Sequence, residues 1–225
     1  MFNDYIEVKY TYYTTYYTIA RQLHKLVSRP IMSLDFEAQS IYTLDERAEA
    51  KELVKKHQDE LSSDDLRLSK VVARASGLSH PSITKVTHCI FGLSEDESII
   101  FVITDPKVEE LLMDFIVNFE GKLILHNATF DLKLVHHRTG RFPRDFDDTQ
   151  LLSRCLINHT QDWQCKTGLK HIMGEFYNPK WCLIESYDIQ DFKDKDFLRY
   201  CSIDGAATIK LWYDLQKHLQ EEKEK

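Results

Sequence analysis

The chain has 225 residues, of which 43% are hydrophobic and 29% charged, and its formal net charge is −7 at pH 7. This composition is typical of a globular protein with one large or two small domains. The negative charge argues against a protein that grips nucleic acid by bulk positive charge. It leaves open a nucleic-acid enzyme with a local site, above all one where bound metal ions reverse the charge.

Cysteine usage and the absence of targeting patterns indicate the compartment. The five cysteines, at positions 89, 155, 165, 182 and 201, form no CxxC pair. An odd, scattered set is typical of a reduced intracellular protein and disfavours a structural zinc site. The sequence has no signal-peptide pattern and no apolar run as long as a membrane span. We therefore expect a cytoplasmic protein, with viral origin as one option, and no membrane partner.

The first half of the chain predicts an extension, a strand and an insertion. Residues 1–30 form the N-terminal extension, in which a Tyr- and Thr-rich run favours a β-strand and a short helix follows. This extension either packs on the main domain or offers a surface for a partner. Residues 31–37 are the first core strand. Residues 44–76 predict a mostly polar helical insertion, with its second helix from Ser63 to about Ala75.

Strands and helices alternate beyond the insertion. Residues 83–93 and 98–104 predict two strands joined by a tight turn, which is a hairpin. The remaining predicted elements are a helix at 106–118, a strand at 122–125, a helix directly after it, a strand at 145–148, and helices at 149–158, 166–176, about 190–201 and 203–222. This order predicts an α/β domain over residues 31–225, with a mixed sheet between helices.

Two carboxylates end the first core strand, in the stretch SLDFEAQS at residues 33–40. Alternate residues of a strand point to the same side, so Asp35 and Glu37 should project together from one face. Like charges that lie this close raise each other's pKa. A solvated acidic strand end and a cation site both fit this pair, and other parts of the chain have to decide between them.

Two further acids come from separate segments. Asp131 follows the strand at 122–125 and lies one helical turn after Asn127, and Asp204 lies one helical turn after Tyr200 on an otherwise apolar face. A buried charge is costly unless it is paired or bound to metal. Hard divalent cations prefer carboxylate oxygens. The acids together predict a metal site where strand ends meet helix starts.

Three motifs carry a family resemblance. LDFE, HNATFDLKLV and YCSID occur in this order, and together they resemble the DEDD superfamily of 3′–5′ exonucleases, in its tyrosine-bearing (DEDDy) subclass. The chain looks most like the proofreading exonuclease domain of family A DNA polymerases, over about residues 31–215. The resemblance implies a ribonuclease H-like fold with a five-stranded mixed sheet flanked by helices. The insertion is longer than this resemblance leads us to expect.

The resemblance also implies roles for the acids and the tyrosine. Asp35, Glu37 and Asp204 would bind one divalent cation, Mg²⁺ or Mn²⁺. Asp35 would bridge to a second cation that Asp131 also holds. Tyr200 would position the attacking water, since a free phenol with a pKa near ~10 is a poor base at neutral pH.

Three further residues are implied to contact the terminal nucleotide. These contacts involve the backbone of Phe36 and Ala38 and the side chain of Asn127, although Asn127 also fits a helix cap. The Phe36 side chain should lie in the core. Ala38 stands where many relatives carry a hydroxyl residue, so one hydrogen bond is absent from the pattern. Asp148, at a strand end, fits a helix cap better than a site residue.

The implied activity is release of nucleoside 5′-monophosphates from 3′ ends by a two-metal-ion mechanism. Single-stranded DNA is the first expected substrate and RNA the second. A replication or repair protein is a candidate partner that would supply the grip an acidic surface lacks. The alternative is a non-catalytic module of the same fold that binds nucleic acid, a polymerase or a helicase. The intact set of acids and the tyrosine argue against this alternative.

Overall fold

The computed structural model describes residues 7–42, 44–56, 70, 81–156, 167–177 and 193–224. It divides into two compact units, of which one is Ala38–Val86 and the other comprises Met1–Glu37 and Thr87–Lys225. The smaller unit contains a helix at Leu44–Lys56, at the start of the segment that was predicted as an insertion. Apart from Lys70, the predicted second helix of the insertion lies outside the described residues, as do the residues 157 and 158 that were expected to end another helix.

The strands of the described chain form two sheets. The seven strands are β1 (Lys9–Tyr13), β2 (Ile31–Ser33), β3 (Asp35–Ser40), β4 (Thr84–Ser94), β5 (Glu97–Val102), β6 (Lys122–Leu125) and β7 (Phe146–Asp148). One sheet has the order β1-β5-β4-β3 and the other β2-β6-β7. The β4–β5 pair is antiparallel, whereas β1–β5, β2–β6 and β6–β7 are parallel. The predicted α/β class with a mixed sheet is therefore confirmed.

The strand count differs from the expected single sheet of five. The long core strand predicted over residues 31–37 is split at Leu34, whose N–H donates to the carbonyl of Ile124 at 2.8 Å. The chain therefore pairs with β6 up to this residue and joins the other sheet from Asp35 onward. The N-terminal β1, which belongs to the predicted extension, adds another strand beside β5.

The helices agree with the predicted order. They are α1 (Tyr16–Leu26), α2 (Leu44–Lys56), α3 (Pro106–Asn118), α4 (Thr129–Thr139), α5 (Thr149–Leu156), α6 (Leu169–Phe176) and α7 (Lys195–Lys223), with a 3₁₀ turn at Pro81–Ile83. Asp105 caps α3, and its carboxylate accepts from the N–H groups of Lys107 and Val108. Within the described ranges, no helix has both the length and the apolar character needed to cross a membrane.

The C-terminal helix is continuous, so the predicted break near residue 202 was wrong. The small residues there serve close packing rather than helix termination. A side chain at Gly205 would lie only 2.9 Å from Cγ2 of Ile90 and 3.1 Å from Oγ of Ser98. Gly205 therefore lets α7 lie directly on β4 and β5, and no helix-breaking residue interrupts the hydrogen-bonded turns.

Hydrogen bonds from two serines stabilise the close packing of α7 on the strands. Ser33 Oγ donates to the carbonyl of Gly205 and accepts from the N–H of Gly92, each at 2.8 Å. Ser98 Oγ donates to the carbonyl of Ser202 at 2.8 Å. Both serines are fully buried, so these bonds are made away from competing water. They connect β2, β4 and β5 to the turn of α7 that carries the acid of the third motif.

We expect Gly92→Ala to lower the melting temperature by about 2–12 °C, because overpacking commonly costs on the order of 1–3 kcal/mol and a chain of this size loses about 2–4 °C per kcal/mol. A Cβ at Gly92 would collide with the Gly205 carbonyl and with Ser33 Oγ. Thermal unfolding followed by circular dichroism measures the change. Gly168→Ala is the matched control, since a Cβ there meets nothing within 4 Å. Equal melting temperatures for the two variants would contradict the packing described for Gly92.

Candidate active site

The two acids of the first motif begin β3. Asp35 and Glu37 are partly exposed, whereas Phe36 and Ala38 between and after them are buried. This alternation places both carboxylates on one side of the strand, as the spacing predicted. Asp204 of α7 joins them, since one carboxylate oxygen from each of these three acids lies within 4.8 Å of the others. The structure therefore brings together three of the four predicted acids as one cluster.

Asp131 reaches the same strand from the first turn of α4. Asp131 is 3% exposed, and its Oδ1 accepts a hydrogen bond from the N–H of Phe36 at 3.2 Å. Burial and the nearby Asp35 carboxylate raise the pKa of Asp131 well above its usual range. The fourth predicted acid thus lies beside the cluster, on the backbone that connects Asp35 to Glu37.

Burial is the main influence on the charge of these acids. It raises the pKa of Asp35 to about 6, and Lys170 and the Phe36 N–H oppose the rise. Burial likewise raises the pKa of Asp204 to about 7, with Lys170 acting against it. At Glu37 the pKa is well above its usual range because of burial and then because of Asp35 and Asp204. Without a cation, the cluster therefore holds protons near neutral pH.

One atom of the cluster indicates a cation directly. Oδ1 of Asp204 is buried and, among the residues that the structure describes, has no hydrogen-bond partner. A buried carboxylate oxygen without a partner is costly unless something absent from the protein chain satisfies it. The donor set of carboxylate oxygens is the kind that Mg²⁺ and Mn²⁺ prefer. Asp35, Glu37 and Asp204 therefore fit a divalent cation.

Tyr200 stands one turn before Asp204 on α7. Its ring stacks on Phe197, with ring centroids 6.0 Å apart and an angle of 21° between the planes. Burial and then the charges of Asp204 and Glu37 raise the pKa of Tyr200 far above its usual value. In the metal-free protein the phenol is therefore neutral near pH 7.

Lys170 belongs to this site, although the sequence analysis did not single it out. Its Nζ lies 2.6 Å from the Tyr200 hydroxyl and 3.9 Å from Oδ2 of Asp204. The sequence did contain a pattern that points to Lys170. This lysine precedes Met173 by three residues and Gly174 by four. Both of these are buried, and such spacings share a helix face. A lysine on the buried face of a short helix indicates an acidic partner.

The predicted substrate contacts of the first motif remain predictions. Phe36 is buried, with 4% of its surface exposed, so its side chain is in the core as expected. Its backbone N–H is already used by Asp131. Ala38 is also buried and belongs to the smaller unit. Neither residue offers an exposed side chain to a ligand, which is consistent with contacts made by the backbone.

The turn before α4 holds Asn127 in a special conformation. Asn127 has φ +60°, the left-handed region that few residues other than glycine adopt. Its side chain does not cap the helix, because the cap position is Ala128. Asp148 Oδ1 and Oδ2 instead accept from the N–H groups of Asn127 and Ala128, both at 3.0 Å, and Oδ1 also caps α5 through the N–H of Gln150 at 2.8 Å. The capping role expected for Asp148 is confirmed, and Asn127 is left exposed.

Comparison with known proteins rests on structure alone. No protein-family model matches the chain, and no curated protein matches it in sequence. NrnC of Brucella melitensis, solved with bound Mg²⁺, is 14% identical with a TM-score of 0.57, and the match covers 96% of this chain and 84% of NrnC. NrnC has also been solved bound to pGG.

Two ribonucleases have the same fold. Escherichia coli RNase D, described as an exoribonuclease involved in structured RNA processing, is 14% identical with a TM-score of 0.50, over 96% of this chain and 46% of that protein. Trypanosoma brucei RNase D in complex with RNA U12 is 13% identical with a TM-score of 0.57, over 92% of this chain and 62% of that protein. At these identities the likeness concerns the fold, and it confirms the ribonuclease H-like class.

Proposed function

We propose that this protein is a metal-dependent 3′–5′ exonuclease that releases nucleoside 5′-monophosphates from single-stranded nucleic acid. The observation that carries the proposal is the carboxylate cluster of Asp35, Glu37 and Asp204, whose oxygens lie within 4.8 Å of one another. Asp131 and Tyr200 lie beside this cluster, on the spacings of the DEDDy motifs. The Mg²⁺ in NrnC and the exoribonuclease activity named for E. coli RNase D, on the same fold, support the same class of reaction.

The acids have distinct tasks in this proposal. Asp35, Glu37 and Asp204 would hold one divalent cation, and Asp35 together with Asp131 would hold a second. Bound cations of this kind lower the pKa of water and stabilise charge on the attacking and leaving oxygens of a phosphoryl group. The neutral Tyr200 aligns the water through its hydroxyl and does not remove the proton. The Phe36 N–H fixes the Asp131 carboxylate against β3 before substrate arrives.

Single-stranded RNA is the substrate we now place first, with DNA second. The motif resemblance alone favoured DNA, because it pointed to polymerase proofreading domains. The solved structures of the same fold instead contain pGG in NrnC and the RNA U12 in T. brucei RNase D. The net charge of −7 predicts modest affinity and weak processivity, since phosphate contacts by basic residues dominate nucleic-acid affinity.

The proposal is tested with 5′-labelled RNA and DNA oligonucleotides of the same sequence, incubated with Mg²⁺, Mn²⁺ or EDTA. We expect a ladder that shortens from the 3′ end, requires a divalent cation and is absent for Asp35→Ala. Faster shortening of RNA than of DNA would support the substrate order. If both oligonucleotides stay intact with either cation, the exonuclease proposal fails and the chain is better explained as a binding module of this fold.

A further inference from the structure

Lys170 is placed by the packing of α6 on α7. The short helix begins after Gly168 and buries Ile172 and Met173 in an apolar cluster with Ile203 and Ala207 of α7. Because α6 is anchored only two residues further on, the Lys170 stem has little freedom to leave the site. Its ammonium lies 4.0 Å from the centroid of the Tyr200 ring and 2.6 Å from the hydroxyl of the same residue.

The hydrogen bonds of the Tyr200 hydroxyl have a fixed direction. A lysine ammonium has donors and no acceptor, so Lys170 Nζ donates to Oη of Tyr200. The phenol's own proton then has to go to another group, and we assign it to the carboxylate of Asp204, which lies one helical turn further along α7 and whose Oδ2 is 3.9 Å from the same ammonium. With its proton committed to Asp204, Tyr200 meets a water molecule through a remaining lone pair, as an acceptor.

We propose that Lys170 is a positioning residue that orients the Tyr200 hydroxyl, so that Tyr200 aligns the attacking water by accepting one of its hydrogen bonds. This inference rests on the proposed exonuclease function. In this proposal Lys170 affects the reaction rate through Tyr200 and does not contact the substrate. The ammonium also lies 3.9 Å from Oδ2 of Asp204, which holds the same carboxylate toward the phenol.

The test is a double-mutant cycle between Lys170→Met and Tyr200→Phe, with kcat and KM measured on a labelled oligonucleotide. We expect Lys170→Met to lower kcat about tenfold to a hundredfold, the size typical of a misaligned reacting group, with KM changed less than about threefold. In the Tyr200→Phe background, the same substitution should change kcat less than about threefold, because the group through which Lys170 acts is gone. Lys170→Arg, which keeps the charge and a donor, should recover part of the rate.

The matched control is Lys210→Met. Lys210 is exposed to a similar extent, 32% against 30% for Lys170, and it also pairs with an aspartate of α7, Asp214 at 3.7 Å. It lies outside the carboxylate cluster, so its loss should leave kcat and KM unchanged. An equal loss of kcat from Lys170→Met in both backgrounds, or a loss confined to KM, would overturn the proposal and make Lys170 a direct substrate contact.

A second readout separates this inference from the exonuclease proposal. Thermal unfolding in EDTA is measured for wild type, Lys170→Met, Tyr200→Phe and the double variant. It reports the Lys170–Tyr200 coupling without metal or substrate. We expect the double variant to melt within about 1–2 °C of the less stable single variant, because both substitutions break the same hydrogen bond. Strictly additive losses would contradict the coupling. If wild type cleaves no oligonucleotide but the coupling is present, the proposed function fails, and the orientation of the Tyr200 hydroxyl by Lys170 stands without a role in water alignment.

Discussion

Asp204→Asn is expected to lower the rate of 3′-end hydrolysis by about 10²–10³-fold or more, the range found when one group that stabilises the transition state is removed. The substitution keeps the size of the side chain and removes its charge. Asparagine offers one neutral oxygen where the buried cluster offers a carboxylate with an unpartnered Oδ1. The cation affinity and the anchor of the Tyr200 hydroxyl should both weaken. Oligonucleotide shortening at saturating Mg²⁺ measures the loss.

Asp214→Asn is the matched control for this variant. Asp214 lies on the same helix, and its carboxylate accepts from the hydroxyl of Tyr177 and pairs with Lys210 at 3.7 Å. Because it is remote from the cluster, its replacement should leave the hydrolysis rate within about threefold of wild type, as expected for a site without contact to the reacting groups. Comparable losses in Asp204→Asn and Asp214→Asn would show that the first loss is a general effect of altering α7.

The metal-free protein is expected to lose stability as the pH rises from about 5.5 to 8. The folded state raises the pKa of Asp35 to about 6 and that of Asp204 to about 7, above the ordinary aspartate value of 3.8. Between these pH values the folded protein binds more protons than the unfolded chain, so the free energy of unfolding falls with increasing pH. The contribution of the two acids is greatest below their unfolded pKa and is lost as the pH passes through the folded values.

The size of this effect is on the order of 2–3 kcal/mol between pH 5.5 and 8, since one unit of pKa corresponds to about 1.4 kcal/mol. Thermal unfolding in EDTA at pH 5.5 and at pH 8 measures it, with Asp204→Asn as reference because asparagine does not titrate. We expect the variant to melt at least about 3 °C above wild type at pH 8, with the gap narrowing at pH 5.5. Mg²⁺ should raise the melting temperature of wild type most at pH 8. If wild type is more stable than the variant at pH 8 in EDTA, the ionised Asp204 does not destabilise the metal-free protein and the prediction is wrong.

The carboxylates could be predicted because local rules determine them. Two-residue alternation is enough to place Asp35 and Glu37 on one side of a strand. An acid on an apolar helix face, as at Asp204, indicates either metal or a partner. The order of strands and helices likewise follows from hydrophobic spacing. These features depend on neighbours within a few residues, so they can be predicted from a single sequence.

The features that could not be predicted depend on contacts between distant segments. In the sequence, Lys170 looks like an ordinary polar residue. Only the packing of α6 on α7 brings it to Tyr200. The continuity of α7 depends on Gly205 fitting against β4 and β5, whereas glycine in isolation suggests a helix end. The first core strand is split at Leu34 because the N–H of Leu34 donates to the carbonyl of Ile124. No local sequence pattern predicts this hydrogen bond. Each of these is a tertiary contact between segments many residues apart.

The parallel pairing of β1 with β5 has a practical consequence for protein production. Five consecutive residues pair, from Lys9 with Glu97 to Tyr13 with Phe101, and the Tyr10 hydroxyl donates to the carbonyl of Lys195 at 3.5 Å. A shortened protein that starts at residue 31, as motif boundaries alone would suggest, leaves the hydrogen-bonding groups of β5 bare. Bare strands of this kind pair with other chains. Such a truncation would therefore be prone to aggregate, even though every acid of the cluster is retained.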